Sequence, residues 1–272
     1  MNKQLTQKQN LDISSTDDHF LLFWNSRNAR RKQSGSIIYW FNSFVEELSK
    51  KHPNAKTTLL MHTDSKDPNG QDLDAIVNEL ELNQNFKNKP GVVKISNQKV
   101  DLGLLSMLYN VADATIGLSD AEGFGLSTFE SLACETPIIV TMTGGLQEQV
   151  SEIPNVTQEI MLKRNTTNER VTEYSNGLGI EPASKAIIGS QQVPFIYEDR
   201  LSGNDVVSSF MKMYEYGREK RDSMGKAGRE HVLKNYNFEK FTKSWEKILT
   251  DLYNKKGSWE SRKDYKKWEL IA

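Results

Sequence analysis

The sequence predicts an α/β fold, a Rossmann-like doubly wound parallel sheet flanked by helices. Three observations carry this reading. Short apolar runs recur along the first half of the chain, each followed by a stretch of helical spacing. The runs lack polar–apolar alternation, as expected of strands covered by helices on both faces. The loops with distinctive chemistry follow the runs, which places them at the carboxyl edge of the sheet, where open α/β sheets bind ligands.

The elements follow in order. Residues 19–24 form an apolar run and a candidate first strand. Residues 35–50 have helical spacing, with Ile37, Ile38, Trp40, Phe41, Phe44, Val45 and Leu48 on one stripe. Residues 55–62 read as a strand, 73–82 as an amphipathic helix and 92–95 as a short strand. Residues 102–112 are helical, with Leu104, Leu105, Leu108 and Val111 on one face. A strand at 114–118, a helix at 126–134 and a strand at 137–141 complete the alternation. Regularity fails between 150 and 190, a tract with Pro154, a basic-polar run at 163–170 and Gly177-Leu178-Gly179. It reads as an irregular surface excursion. Residues 194–197 are a candidate sixth strand, and the chain is helical from Gly203. The last helix, 238–254, places Phe241, Trp245, Ile248, Leu249 and Leu252 on one stripe, a pattern expected of core.

Three domain segments result. Residues 1–18 are polar and read as a leader or linker, and 19–255 as one domain with the excursion at 150–190. Residues 256–272 form a charged aromatic tail, whose Trp259, Tyr265 and Trp268 are expected to dock on something.

Composition narrows the function classes. The chain has 272 residues, 37% hydrophobic and 26% charged, enough to build a packed core. With 35 basic and 36 acidic residues the net charge is −1, so nothing global draws the chain to nucleic acid or an anionic membrane. The single cysteine, Cys134, allows no intrachain disulfide and favours a reducing compartment. No apolar run approaches the roughly 20 residues of a membrane span. The expectation is a cytoplasmic protein without an integral span.

The densest signal is Ser119-Asp120-Ala121-Glu122-Gly123-Phe124-Gly125-Leu126-Ser127-Thr128-Phe129-Glu130, between a strand and a helix. Glycines there let backbone N–H groups approach a ligand, and the helix start offers unpaired donors and a positive dipole end. A phosphate suits that position. Glu122 and Glu130 suit hydroxyls of a ribose or hexose, because a side chain on a helix leans back toward its N-terminus. The bland reading is a tight turn with two solvated glutamates. A second cluster, Asn25-Ser26-Arg27-Asn28-Ala29-Arg30-Arg31-Lys32, follows the first strand on the same edge. Arg27 and Lys32 can clamp a diphosphate, one by its planar fork and the other as a point charge. Alone, the cluster reads equally well as a solvated basic loop. Gly144-Gly145, after the fifth strand, is either a second close-approach loop or a turn. His62, near Asp64 and Asp67, reads as a surface loop residue before it reads as a metal ligand, and Cys134 as core before nucleophile.

Together and in this order, these motifs resemble the C-terminal, donor-binding half of GT-B fold retaining glycosyltransferases, family 4 (glycosyl transferases group 1). The matching residues are Arg27 and Lys32; Leu108-Tyr109-x-x-Ala112-Asp113; Glu122 and Glu130; Ala133-Cys134-x-Thr136-Pro137-Ile138-Ile139; and Gly144-Gly145-x-x-Glu148. The resemblance covers residues 20–150, and 205–253 more loosely. It implies transfer of a hexose from a nucleotide-sugar donor, UDP- or GDP-linked, with retention of configuration and no obligatory metal or other cofactor. It implies Arg27 and Lys32 on the diphosphate, Glu122 on the donor sugar and the backbone of Phe124, Gly125, Leu126 and Ser127 on sugar or phosphate. Glu130 would bind the ribose. Glu135 departs from the family, which usually has glycine there, and the 150–190 tract is longer than usual. The acceptor-binding domain of such enzymes precedes this half, so the resemblance also implies a partner: a separate N-terminal acceptor-binding domain, with a saccharide or other acceptor. Two further readings stand beside it. One is a non-catalytic nucleotide-sugar-binding module that needs a partner subunit, and the other is a sugar phosphorylase of the same fold.

Overall fold

A computed structural model describes residues 19–84, 86, 89–150 and 170–263. The leader at 1–18, nearly all of the basic-polar run at 163–170, and Tyr265 and Trp268 of the tail lie outside the described residues. Two compact units emerge, residues 1–230 and 231–272.

The first unit is built on a seven-stranded sheet with strand order β3-β2-β1-β4-β5-β7-β6. The strands are β1 (His19–Asn25), β2 (Lys56–His62), β3 (Gly91–Ser96), β4 (Ala114–Gly117), β5 (Ile138–Thr141), β6 (Val171–Tyr174) and β7 (Gly177–Ile180). All adjacent pairs are parallel except β6 with β7. The helices between them are α1 (Ser34–Lys51), α2 (Leu73–Glu79), α3 (Leu102–Val111), α4 (Leu126–Ala133) and α5 (Leu146–Val150), followed later by α6 (Gly203–Glu215) and α7 (Gly217–Asn235).

Strand β1 explains why the sheet is covered on both sides. Its residues alternate between faces, as strand geometry requires. Phe20, Leu22 and Trp24 join a core with Ile37, Phe41 and Phe44 of α1 and Phe210 of α6. Leu21 and Phe23 join a second core with Leu108 and Tyr109 of α3. Each fully buried side chain of this size stabilises the fold by about 1.5–3 kcal/mol. Capping sharpens the helix starts: Asp72 accepts from the Ala75 N–H at 3.0 Å and Asp101 from the Leu104 N–H at 2.8 Å.

Asp113 has a structural task. Its carboxylate accepts from the Leu21 N–H at 2.7 Å and from Arg221 Nη2 at 2.8 Å. Arg221 Nη1 donates in turn to the carbonyls of Met213 and Tyr214 at the end of α6. Burial pushes the Asp113 carboxyl upward, against the opposing pull of Arg221.

The tract read as irregular is ordered wherever it is described. It contains β6 and β7, and also β8 (Ser184–Ile187), which forms an antiparallel hairpin with β9 (Tyr197–Arg200). Gly177-Leu178-Gly179 is buried strand, not loop. Four-residue strands rich in glycine leave no periodicity to detect. The sixth candidate strand, at 194–197, is shifted to 197–200.

The second unit contains α8 (Phe238–Lys256), capped by Asn237. Its apolar stripe was expected to be core, yet the helix has no buried residue, and Phe241, Trp245 and Leu249 are exposed. Helical spacing of apolar residues establishes an amphipathic helix but not the surface that would cover it.

Glu135, the departure from glycine, has φ +61°. A side chain in this left-handed region carries steric strain of about 1–2 kcal/mol that glycine avoids. Glycine also adds freedom to the unfolded chain, which offsets part of the relief. Glu135→Gly is therefore expected to raise the unfolding free energy by about 0.5–1 kcal/mol in chemical denaturation.

Candidate functional site

Strand order reverses between β1 and β4: β2 and β3 lie on one side of β1, while β4 and β5 lie on the other. The loops leaving β1 and β4 therefore diverge above the sheet, and the crevice between them is where doubly wound folds bind ligands. A narrow crevice is present there, lined by Ser26 and Lys32 from the first loop and Ser119, Glu122, Gly125 and Ser127 from the second. A wider cavity of about 760 Å³ opens at the opposite edge, beside His19, Asp113, Pro137 and Arg221. It lies at the amino ends of the strands, beside the start of α7 at Gly217.

The β4 loop is held in one shape. Gly125 has φ +87°, and a Cβ there would lie 2.4 Å from Leu146. Glycine is thus required at the N-cap of α4. The Gly144-Gly145 loop packs directly on this turn: a Cβ on Gly144 would meet the Glu122 carbonyl oxygen at 1.8 Å. The structure resolves that motif as a close approach of one loop to another. Gln149, fully buried, donates from Nε2 to the carbonyls of Phe124 (2.6 Å) and Gly125 (3.0 Å). In a trans peptide the N–H points opposite the C=O, so the Gly125 and Leu126 N–H groups face away from Gln149. Gln149 went unremarked in the sequence because it sits beside the more conspicuous Glu148, which is exposed.

The basic cluster divides its charges. Lys32 Nζ donates to Glu122, joined by Arg31, which reaches the Ala121 carbonyl at 2.8 Å and Glu122 Oε2 at 3.5 Å. Burial opposes ionisation of Glu122, but Lys32, Arg31 and the Gly123 N–H outweigh it and hold the carboxyl below its ordinary value. Arg27, instead, pairs with Asp67 through two bonds, Nε–Oδ2 at 2.6 Å and Nη2–Oδ1 at 3.2 Å. Arg30 forks onto Glu198 of the β8–β9 hairpin at 2.5 and 2.7 Å. The hairpin is tied to the β4 loop as well: Arg200 donates to Asp120 at 2.8 Å, and the Asp199 N–H donates to the Asp120 carbonyl. Gln33, in the left-handed region at φ 58°, donates its amide to the buried Asp120. Sequence reasoning missed this lattice because Arg30 and Glu198 lie 168 positions apart.

Glu130 lies in the second turn of α4, as expected. Its Oε2 accepts from the Tyr109 hydroxyl at 2.8 Å, and that hydroxyl accepts from Asn25 Nδ2 at 2.8 Å. Burial pushes the Tyr109 phenol well above its ordinary value, and Glu130 adds to the shift. The tyrosine is thus a fixed neutral donor linking the end of β1 to α4. His62 bonds to Ser96 at 3.2 Å, and burial lowers its pKa.

The crevice gathers a lysine, a carboxylate and the start of α4 at the sheet edge where doubly wound folds bind ligands. Residues 74–159 match the family described as Glycosyl transferases group 1. No curated protein matches the chain. The fold is the α/β Rossmann-like arrangement found in glycosyltransferases of the GT-B class. Among solved structures, the chain is similar to sucrose-phosphate synthase from Thermosynechococcus elongatus at 20% identity and TM-score 0.60, over 93% of this chain and 49% of that one. It is similar to Alr3699/HepE of Anabaena, solved in complex with UDP, at 14% identity and TM-score 0.57, over 92% and 52% of the two chains. The C-terminal domain of a glycosyl transferase group 1 family protein (LpcC) from Francisella tularensis matches at 16% identity and TM-score 0.53, over 88% of this chain and 94% of that one. The chain thus spans about half the length of the first two. Among the described residues no helix is long and apolar enough to cross a membrane.

Two outcomes are expected from this geometry. Tyr109→Phe leaves Asn25 and Glu130 without their shared partner and should lower the unfolding free energy by roughly 1–2 kcal/mol in denaturant titration. Glu198 is held below its ordinary value of 4.5, chiefly by its hydrogen bonds with Arg30. A depressed carboxyl contributes stability that is present above that value and lost as pH falls through the folded pKa. Thermal melts of the parent should therefore lose stability as pH falls below 4.5, and Glu198→Gln should flatten that loss.

Proposed function

We propose that this chain is the donor-binding half of a retaining glycosyltransferase that transfers a hexose from a UDP- or GDP-sugar. The observation that carries the reading is the crevice at the strand-order reversal, where Lys32, Glu122, Gly125 and Ser127 converge. In this reading Lys32 and Arg27 bind the diphosphate, and Glu122 binds sugar hydroxyls. The backbone of Phe124, Gly125, Leu126 and Ser127 meets sugar or phosphate, and Glu130, oriented by Tyr109, binds the ribose.

The chemistry follows from where charge develops. The bond from the anomeric carbon to the diphosphate oxygen breaks, a bond to the acceptor oxygen forms on the same face, and the acceptor hydroxyl proton passes to the departing diphosphate. Negative charge collects on the departing diphosphate, where cations and a helix N-terminus stabilise it most. These groups supply the charge that a metal supplies elsewhere. The acceptor site is assigned to a second, N-terminal domain, and the cytoplasm is the proposed location.

A second reading is a nucleotide-sugar-binding module that works only within a partner assembly. It is favoured by the apolar stripe of α8, where Phe241, Trp245 and Leu249 are exposed. Release of UDP from a UDP-hexose by the chain joined to its acceptor-binding domain, with acceptor present, separates the two, since a module binds the donor without turnover.

Calorimetric titration with UDP and GDP tests both readings, with saturable binding of at least one expected. Absence of binding by the folded protein to either would sink the assignment. Glu130→Ala should weaken UDP binding roughly tenfold, the loss of about one charge-assisted hydrogen bond. Arg27→Ala combined with Lys32→Ala should abolish diphosphate affinity while leaving nucleoside affinity intact. Unchanged binding in either variant would show the corresponding role to be misplaced.

A further inference from the structure

The proposed clamp carries its own anion. Arg27 offers the Nε and Nη2 edge of its guanidinium to Asp67 in a two-pronged pair. Arg27 is largely exposed while Asp67 is nearly covered, at 64% and 11% of the side chain. The acid is the more covered partner and the arginine the more exposed one.

Asp67 is held independently of Arg27. It sits in the loop between β2 and α2, which the fully buried Asn28 fastens to the β1 loop. Asn28 Nδ2 donates to the Gln71 carbonyl at 2.7 Å, and its Oδ1 accepts from Ser34 Oγ at 2.7 Å and the Gln71 N–H at 3.3 Å. Asp67 itself closes a turn: its Oδ1 accepts from the Asn69 N–H at 2.8 Å, and its carbonyl accepts from the Gly70 N–H at 2.9 Å. The turn needs an acceptor oxygen at this position but not a charge. The carboxyl nevertheless stays anionic, because the bonds from Arg27 and from the Asn69 N–H hold its pKa at about 2. No change of pH in the physiological range releases Arg27. A competing anion can take the carboxylate's place on it.

We propose that Asp67 is a resident counter-ion of the donor clamp: it holds the phosphate's place on Arg27 when the site is empty, yields it to the nucleotide diphosphate, and takes it back to speed release of that product. This rests on the donor-site reading above. It adds a residue that touches neither sugar nor base yet sets how tightly the diphosphate is kept. Electrostatic competition of this kind acts on phosphate-bearing ligands alone, and it weakens as salt screens the exposed pair.

The test uses the whole chain and the substitution Asp67→Asn, which keeps an acceptor oxygen for the turn and removes the charge. Asp67→Ser, also able to accept, guards against a failure of one variant to fold. UDP and uridine are titrated calorimetrically into the parent, Asp67→Asn, Arg27→Ala and the double variant, and UDP release is followed by stopped flow. The expected result is UDP affinity increased roughly two- to fivefold, the scale of an exposed ion pair. UDP release should be slower and uridine affinity unchanged. In the Arg27→Ala background the gain should vanish, as a double-mutant cycle requires of a direct coupling. Equal or weaker UDP binding by Asp67→Asn overturns the proposal, as does a gain that survives Arg27→Ala. If the parent binds neither UDP nor GDP, the donor-site reading fails and this proposal falls with it.

Discussion

Strand β1 is hydrogen-bonded to β2 on one side and β4 on the other, in parallel throughout. Its five central residues, 20–24, are all buried. Because chain order reverses at this strand, the loops that leave β1 and β4 cannot both be covered by crossover helices. The space above them stays open. The basic loop, the Glu122 turn and the start of α4 all take their positions from that one pairing. The Tyr109 hydroxyl is set there too, since α3 packs on the β1 face that carries Leu21 and Phe23.

The second organising theme is self-neutralisation. Each cation of the basic loop already has an oxygen partner: Arg27 has Asp67, Arg30 has Glu198, Arg31 has the Ala121 carbonyl and Glu122, and Lys32 has Glu122. A concentrated basic loop would otherwise repel itself, and its pairing with acids from three other segments holds the loop in shape. It also raises the threshold for a ligand. A neutral sugar has nothing to offer these cations, whereas a multiply charged anion competes well.

Much of this was legible in the sequence, for physical reasons that can be named. The strands from β1 to β5 are continuous apolar runs because both sheet faces are covered, and the intervening helices carry stripes of the right spacing. Gly125 of the β4 loop was legible because a tight strand-to-helix turn calls for glycine, and the structure gives it a left-handed N-cap position with no room for a Cβ. What stayed hidden is non-local. Which arginine meets which acid depends on loops brought together by the sheet, so Arg27 and Lys32 looked like a pair when the structure gives each its own carboxylate. Short strands hid as well: β7 is read as a glycine-rich loop until its burial against β5 and β6 is seen. The stripe on α8 shows the converse case, a strong local pattern that says nothing about its partner.

The β8–β9 hairpin pairs only with itself and takes no part in the seven-stranded ladder. Its base is bolted to the site by Glu198, Arg200 and the Asp199 amide, while its far end, residues 188–196, carries no charge and exposes Val193 and Phe195. The two parts therefore differ in their freedom to vary. Substitution at the base disturbs Arg30 and Asp120 at once, but the tip can change in length and character without breaking a single rung of the main sheet. Such a division is what modular diversification requires: a constant socket at the site's edge, and an interchangeable surface mounted on it.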